Sequence, residues 1–181
     1  MTTYVVLMRG INVGGANKLS MAALKAWLGD LGYANVSTYI ASGNVVLETG
    51  KSAKAVAAEI EAGLPKRFKL DSELIKVLVL TAAQFKAVVA DRPKGFGDEP
   101  GRYHSDAIFM VGLNVGDALK AFDPREGVDE LWAGKGVIYH RRLSEKRTQT
   151  RLNKMMATPA YKSMTIRSWQ TALKLAVMVG G

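Results

Sequence analysis

The sequence predicts an α+β protein made of two ferredoxin-like (α/β plait) halves, antiparallel sheets with helices packed on one face, and three observations carry that reading. Over roughly the first eighty residues, short apolar runs and segments of helical periodicity follow one another as strand, helix, strand, strand, helix, strand, the split βαβ order. Strand, helix, two strands and helix recur afterwards, without residue-level repetition. Between the runs lie clusters of Gly, Ser, Asn and Pro, so turn chemistry and hydrophobic periodicity agree about the boundaries. The expected division is residues 1–80 for the first plait and 81–181 for a degenerate second one with basic C-terminal helices.

Taken in order, Tyr4 to Arg9 is an apolar run of the kind buried on both faces of a sheet. Ser20 stands at an N-cap, Leu24, Trp27, Leu28 and Leu31 follow at helical spacing, and Gly32 supplies the stop. Val36, Thr38 and Ile40 alternate with Ser37, Tyr39 and Ala41, and Ser42-Gly43 turns this strand into the next, Asn44 to Glu48. Ser52 caps a helix striped by Val56, Ala57, Ile60 and Leu64, with Pro65 at its end, and Glu73 to Leu80 closes the first half as a strand. Thr81 and Gln84 have capping-box spacing ahead of a short helix. The stretch from Asp91 to His104, rich in Gly and Pro, reads as a long loop. Ala107 to Val111 is then a strand and Asp117 to Phe122 a short helix, and Val128 to Trp132 pairs with Val137 to Arg141 around Gly134-Lys135-Gly136. Glu145 to Met156 and Ser168 to Val179 read as helices.

The chain has 181 residues, 48% of them hydrophobic, and no cysteine, which excludes disulfides and thiolate ligands and fits a reducing cytosol. No apolar run reaches membrane length and the start lacks the pattern of a signal peptide, so the expectation is a cytoplasmic protein with no membrane partner. The net charge of +9 falls entirely within residues 135–181, where Lys135, Arg141, Arg142, Lys146, Arg147, Arg151, Lys154, Lys162, Arg167 and Lys174 face a single acid, Glu145. Localised charge of this kind points to a polyanion such as nucleic acid. In one helix, Arg147, Arg151 and Lys154 would share a face, with Arg141 and Arg142 arriving just before it.

Two further stretches hold tightly constrained backbone. Arg9-Gly10-Ile11-Asn12-Val13-Gly14-Gly15 runs from a strand end into a glycine-rich loop, and Tyr39-Ile40-Ala41-Ser42-Gly43-Asn44 forms a hairpin turn. Neither G-x-G-x-x-G nor a complete P-loop is present, since Ala16-Asn17 stand where Lys and Ser or Thr are required. Two roles stay open for these glycines, tight packing at a crossing loop or a cradle for a small anion. Asn12 and Asn44 read first as turn residues and second as ligand contacts. If the turn lies beside the loop, Arg9, Asn12, Ser42 and Asn44 converge. His104 and His140 are too few for a metal site, no catalytic signature is present, and no cofactor is implied.

LMRGINVGG with Met21, VSTYIASGNVVLE and the terminal TIRSWQTALKL together resemble the bacterial domain-of-unknown-function family 1697. The resemblance implies two α/β plait halves and no activity. By position its hallmark residues fall on Arg9, Gly10, Asn12, Gly14 and Gly15, and on Tyr39, Ser42, Gly43 and Asn44. Where the family usually reads Arg-Asn-Trp-Asn-Thr, this chain has Arg167, Ser168, Trp169, Gln170 and Thr171, and the family's Gly-Arg-Ser-Lys-Leu is similar to Lys146 through Leu152 with the glycine lost. The functional expectation is a non-catalytic protein that binds a polyanion through its basic quarter. The alternatives are an enzyme or sensor for a small anionic metabolite at the loop and turn, and a structural or protein-interaction role.

Overall fold

The computed structural model describes residues 1–71 and 75–180. The chain forms two compact units, Met1–Lys86 with Leu175–Gly181, and Ala87–Lys174. In the first, β1 (Thr2–Arg9), α1 (Met21–Asp30), β2 (Ala34–Tyr39), β3 (Asn44–Thr49), α2 (Ala53–Arg67) and β4 (Lys76–Thr81) succeed one another. After α3 (Ala82–Ala90), the second unit holds β5 (Tyr103–Met110), α4 (Val115–Leu119), β6 (Asp129–Ala133), β7 (Val137–Leu143), α5 (Leu152–Met156) and β8 (Met164–Ser168), and α6 (Trp169–Met178) follows. Both sheets have four strands, ordered β2-β3-β1-β4 and β6-β7-β5-β8, with every pairing antiparallel. The two orders superpose when β5 is read as β1, so the fold is α+β with two similar halves.

The central position of β1 follows from its composition. Tyr4, Val6 and Met8 face the helices and form a core with Leu24, Trp27 and Leu28 of α1 and Val56, Ile60 and Leu64 of α2. Val5 and Leu7 point to the other face and are equally buried. Removal of each such side chain from water contributes about 1.5–3 kcal/mol. Caps set the helix starts as the sequence indicates: Ser20 accepts from Ala23 N–H, Ser52 from Ala55 N–H, and Thr81 and Gln84 bond each other's backbone N–H groups reciprocally. Pro65 lies inside the last turn of α2, which runs on to Arg67.

Boundaries differ from the sequence reading mainly in the second unit. The predicted strand over 73–80 is found from Lys76, its first residues lying outside the described ones. β5 begins at Tyr103, four residues before the expected start, because Tyr103, His104 and Ser105 pair with Leu143, Arg142 and Arg141 of β7. α4 starts earlier than expected, at Val115, where Asn114 caps it through Asp117 N–H. β8 has no counterpart in the sequence reading; its five residues pair with β5 and postpone the last helix to Trp169. Ile40 is not in a strand but in the left-handed region, φ 48°, and exposed.

The expected helix from Glu145 to Met156 is broken. A 3-10 segment over Ser144–Gln149, itself kinked at Lys146, gives way to an extended Thr150 (ψ 144°) before α5 begins. Buried Asp129 of β6 causes the break. One of its carboxylate oxygens accepts from the Thr150 hydroxyl, and the other accepts the backbone N–H groups of Arg151 at 2.9 Å and Arg125 at 3.0 Å. A helical Thr150 would withdraw two of these donors, the Thr150 hydroxyl and the Arg151 N–H, from a buried carboxylate, a costly loss.

One packing contact gives a substitution whose sign opposes helix propensity. Gly63 sits within α2 where alanine would normally add about 1 kcal/mol. Its Cβ, however, would fall 2.6 Å from the Trp27 ring. Gly63→Ala is therefore expected to lower stability, by about 1 kcal/mol after the propensity gain is offset. A urea midpoint at or above that of the wild type would show that the ring moves aside freely.

Candidate functional site

The loop after β1 and the turn before β3 lie against each other. Met8 N–H donates to the Gly43 carbonyl at 2.9 Å, and Leu7 pairs with Asn44 across the sheet. Gly43 has φ 77°, and a Cβ there would stand 2.9 Å from the Met8 carbonyl oxygen and 3.0 Å from Ile11, so glycine is required twice over. Asn12, at φ 51°, ties the two segments: its amide nitrogen donates to the carbonyls of Ala41 (2.7 Å) and Leu19 (3.1 Å), and its carbonyl accepts Leu19 N–H at 2.9 Å. Fully buried Asn44 donates to the Tyr39 carbonyl and to Ser42 Oγ. Asn17, which the sequence does not single out, completes the loop by donating to the Gly10 carbonyl at 2.7 Å, while its own N–H goes to Asp71. No periodicity marks Asn17; only its place after two glycines hints at a left-handed residue, φ 49°.

The hallmark side chains Asn12, Ser42 and Asn44 thus converge and are engaged in holding backbone. Arg9, half-buried, ends β1 opposite Lys76 of β4. What the loop presents outward is its tip, Val13-Gly14-Gly15-Ala16, closed by an Ala16 N–H to Val13 carbonyl bond of 2.9 Å. Gly14 and Gly15 carry positive φ at both central positions, as a type I′ turn needs. The Lys18 side chain lies beside this tip, its Cε 3.9 Å from where a Gly15 Cβ would be.

Several basic residues of the last quarter are held by acids or rings of the second unit. Arg141 stacks on Tyr103, 3.9 Å from the ring centre, and its Nε lies 2.5 Å from Glu130. Arg142 pairs with Asp106 at 2.9 Å; Arg151 and Lys154 share Asp123 at 2.8 and 3.5 Å. Arg167 is buried and donates to Thr165 Oγ1 and the Ile166 carbonyl; burial lowers its pKa to about 10, which leaves it charged at neutral pH. Lys146 and Arg147 sit in the 3-10 segment, with Arg147 exposed.

The Arg142–Asp106 pair belongs to a buried charged cluster that the sequence signals only by acids inside apolar strands. On one face of the second sheet, His140 stands opposite Asp106 and His104 opposite Arg142. His140 Nε2 is 3.1 Å from Asp129 and its Nδ1 is 3.8 Å from Asp106, while His104 Nε2 is 3.1 Å from Asp106. Burial acts to raise the Asp106 pKa, but the two imidazoles and the Arg142 guanidinium outweigh it and hold the carboxyl well below the usual range. Asp129 is likewise lowered against the effect of its burial, chiefly by the Arg151 N–H and the Thr150 hydroxyl. Among the described residues, no group of three or more His, Asp or Glu could hold a metal ion, and no helix is long and apolar enough to cross a membrane.

The model of a family described as "Protein of unknown function (DUF1697)" matches residues 1–139. The chain belongs to this family. Among solved structures it is similar to a conserved bacterial protein, SP0830 from Streptococcus pneumoniae, with 27% identity, 98% of each chain covered and a TM-score of 0.82. No curated protein matches. The structural neighbour shares the fold, and neither comparison states an activity.

Two outcomes follow for the DUF1697 chain. Asn12→Ala removes three bonds to buried or constrained backbone and is expected to cost about 2–3 kcal/mol in urea unfolding, against less than about 0.5 kcal/mol for an exposed control such as Lys25→Ala. Because the folded-state pKa values of Asp106 and Asp129 are depressed, their contribution is present above the unfolded carboxylate value of about 3.9 and is lost as pH falls below it. The urea midpoint is expected to drop between about pH 5 and pH 2, and Asp106→Asn to lower the midpoint at pH 7 and flatten that acid limb. An unchanged limb would remove Asp106 from the account.

Proposed function

We propose that this protein binds a small anionic ligand, of the size of a phosphorylated metabolite, at the tip of the loop after β1, without performing chemistry on it. The observation that carries the reading is the Gly14-Gly15 turn with Lys18 laid along it. Two successive residues without side chains leave their backbone N–H groups open to a ligand, and an ammonium lies within reach of the same point. The bonds of Asn12, Asn17 and Asn44 fix the tip in advance, which reduces the ordering cost of binding. Cysteine is absent, and the tip itself, Val13-Gly14-Gly15-Ala16, carries no hydroxyl, carboxyl or imidazole side chain.

A polyanion surface in the last quarter draws less support. Arg141, Arg142, Arg151 and Lys154 are paired with Glu130, Asp106 and Asp123 from earlier in the chain, and the helical face expected to align Arg147, Arg151 and Lys154 is interrupted at Thr150. Three upstream acids therefore offset part of the local excess, at four of its ten basic residues.

A thermal-shift series with inorganic phosphate, nucleoside monophosphates and sugar phosphates tests the proposal. Ligand at 100 times Kd adds about 2.7 kcal/mol, which corresponds to a rise of about 5–10 °C in Tm for a chain of this length. Lys18→Ala is expected to abolish most of the rise. A rise that survives Lys18→Ala unchanged, or none with any of these compounds, overturns the assignment.

A further inference from the structure

We propose a second site, independent of the loop tip: a groove of about 420 Å³ between α1 and α2 that takes a small aromatic carboxylate. Trp27 and Leu31 line it from α1, and Ala62, Gly63, Lys66 and Arg67 from α2. Trp27 is 7% exposed, and its indole N–H has no acceptor among the described residues. Unlike the sealed nitrogen of Trp169, it keeps accessible surface, and the residue opens onto this groove. An indole N–H at the edge of an apolar site is a donor in want of an acceptor.

The ring is held in place on its benzo side. A Cβ at Gly63 would stand 2.6 Å from Cζ2 and 3.8 Å from Cε2, the carbon bonded to the indole nitrogen, so the donor edge of the ring runs along α2. Phe68 packs edge-on to the same ring, with centroids 5.7 Å apart. Trp27 therefore presents its donor from a fixed position, which lowers the ordering cost of binding.

Charge decides the sign of the acceptor. Lys66 and Arg67 are exposed in the last turn of α2, and neither has a carboxylate partner among the described residues. Arg67 lies over the Phe68 ring, 5.4 Å from its centre, which holds the guanidinium beside the groove. Glu59, also in the wall, is committed elsewhere: Lys51 Nζ donates to its two oxygens at 2.9 and 2.7 Å, and the Tyr33 hydroxyl bonds it as well. The carbonyl end of α2 carries about half a negative charge, which the two full positive charges outweigh. Leu31, Ala62 and the aliphatic stems of Lys66 and Arg67 supply apolar surface between donor and cations. That combination suits a carboxylate on a flat apolar body, and the volume lies in the range of small-molecule sites, roughly 300–1,000 Å³.

Benzoate is the probe, with benzyl alcohol as its neutral counterpart and acetate as an anion without the ring. The chain has three tryptophans, Trp27, Trp132 and Trp169, so a 15N-labelled sample shows three indole cross-peaks, and Trp27→Phe assigns the one of interest. That peak is expected to shift saturably with benzoate and to need about tenfold more of either control, while the Trp169 peak stays in place. Ala62→Glu puts a carboxylate at an exposed helix position four residues before Lys66, where it pairs with that lysine and repels the ligand. This variant is expected to fold with unchanged peak dispersion and to bind benzoate about tenfold more weakly, as is the double variant Lys66→Gln with Arg67→Gln. The proposal is overturned if the Trp27 peak does not move at tens of millimolar benzoate, if all three peaks drift without saturation, if benzyl alcohol binds as tightly as benzoate, or if the folded variants titrate as the wild type does.

Discussion

A polar group taken out of water must find its partners inside the protein, and that constraint shapes both units more than any single apolar contact. In the second sheet, Asp106 and Asp129 are buried, and their needs decide what surrounds them. Asp106 recruits Arg142 and His104; Asp129 recruits a hydroxyl, an imidazole and two backbone amides. Meeting the last of these costs the chain a helix, since Thr150 and Arg151 can serve Asp129 only in a non-helical conformation. In the first unit the same requirement falls on carboxamides. Asn12, Asn17 and Asn44 supply donors to carbonyls that a loop of left-handed residues cannot pair among themselves.

Much of the fold is legible in the sequence because local rules and global pattern agree. The first unit can be read nearly element for element: the doubly buried β1, the serine caps at Ser20 and Ser52, the Thr81–Gln84 box and the hairpin at Ser42-Gly43 each have a residue-level cause. The convergence of loop and turn is legible as well, since a hairpin next to a central strand end has few places to go. The second unit is harder to read for identifiable reasons. β8 is five residues long and half polar, so its pairing to β5 rather than its own pattern makes it a strand. Residues 144–156 have helical composition throughout, and the Asp129 carboxylate that interrupts them comes from a strand some twenty positions earlier. Charge counting locates the basic quarter correctly but does not see that its partners lie upstream, because an ion pair across strands leaves no trace in spacing.

The loop after β1 and the start of α6 differ in where their polar groups go. At the loop after β1, side chains that look like ligand contacts are occupied with internal bonds, and what remains for a ligand is main chain, two glycines and one lysine. At the start of α6 the opposite holds: the Trp169 ring is almost wholly enclosed, and its indole nitrogen has no hydrogen-bond partner among the described residues. Both observations depend on asking where each donor and acceptor goes, which sequence motifs alone do not disclose.

Ile40 shows the cost of such constraint in its plainest form. A β-branched residue in the left-handed region is strained by roughly 1–3 kcal/mol, and this one is also left facing solvent beside the hydrogen-bonded Ala41. Glycine at the same place would relax the backbone and tighten the fold while stripping the hairpin of its apolar head. Robustness of the folded chain and whatever the hairpin tip meets in solution can therefore be separated at a single position.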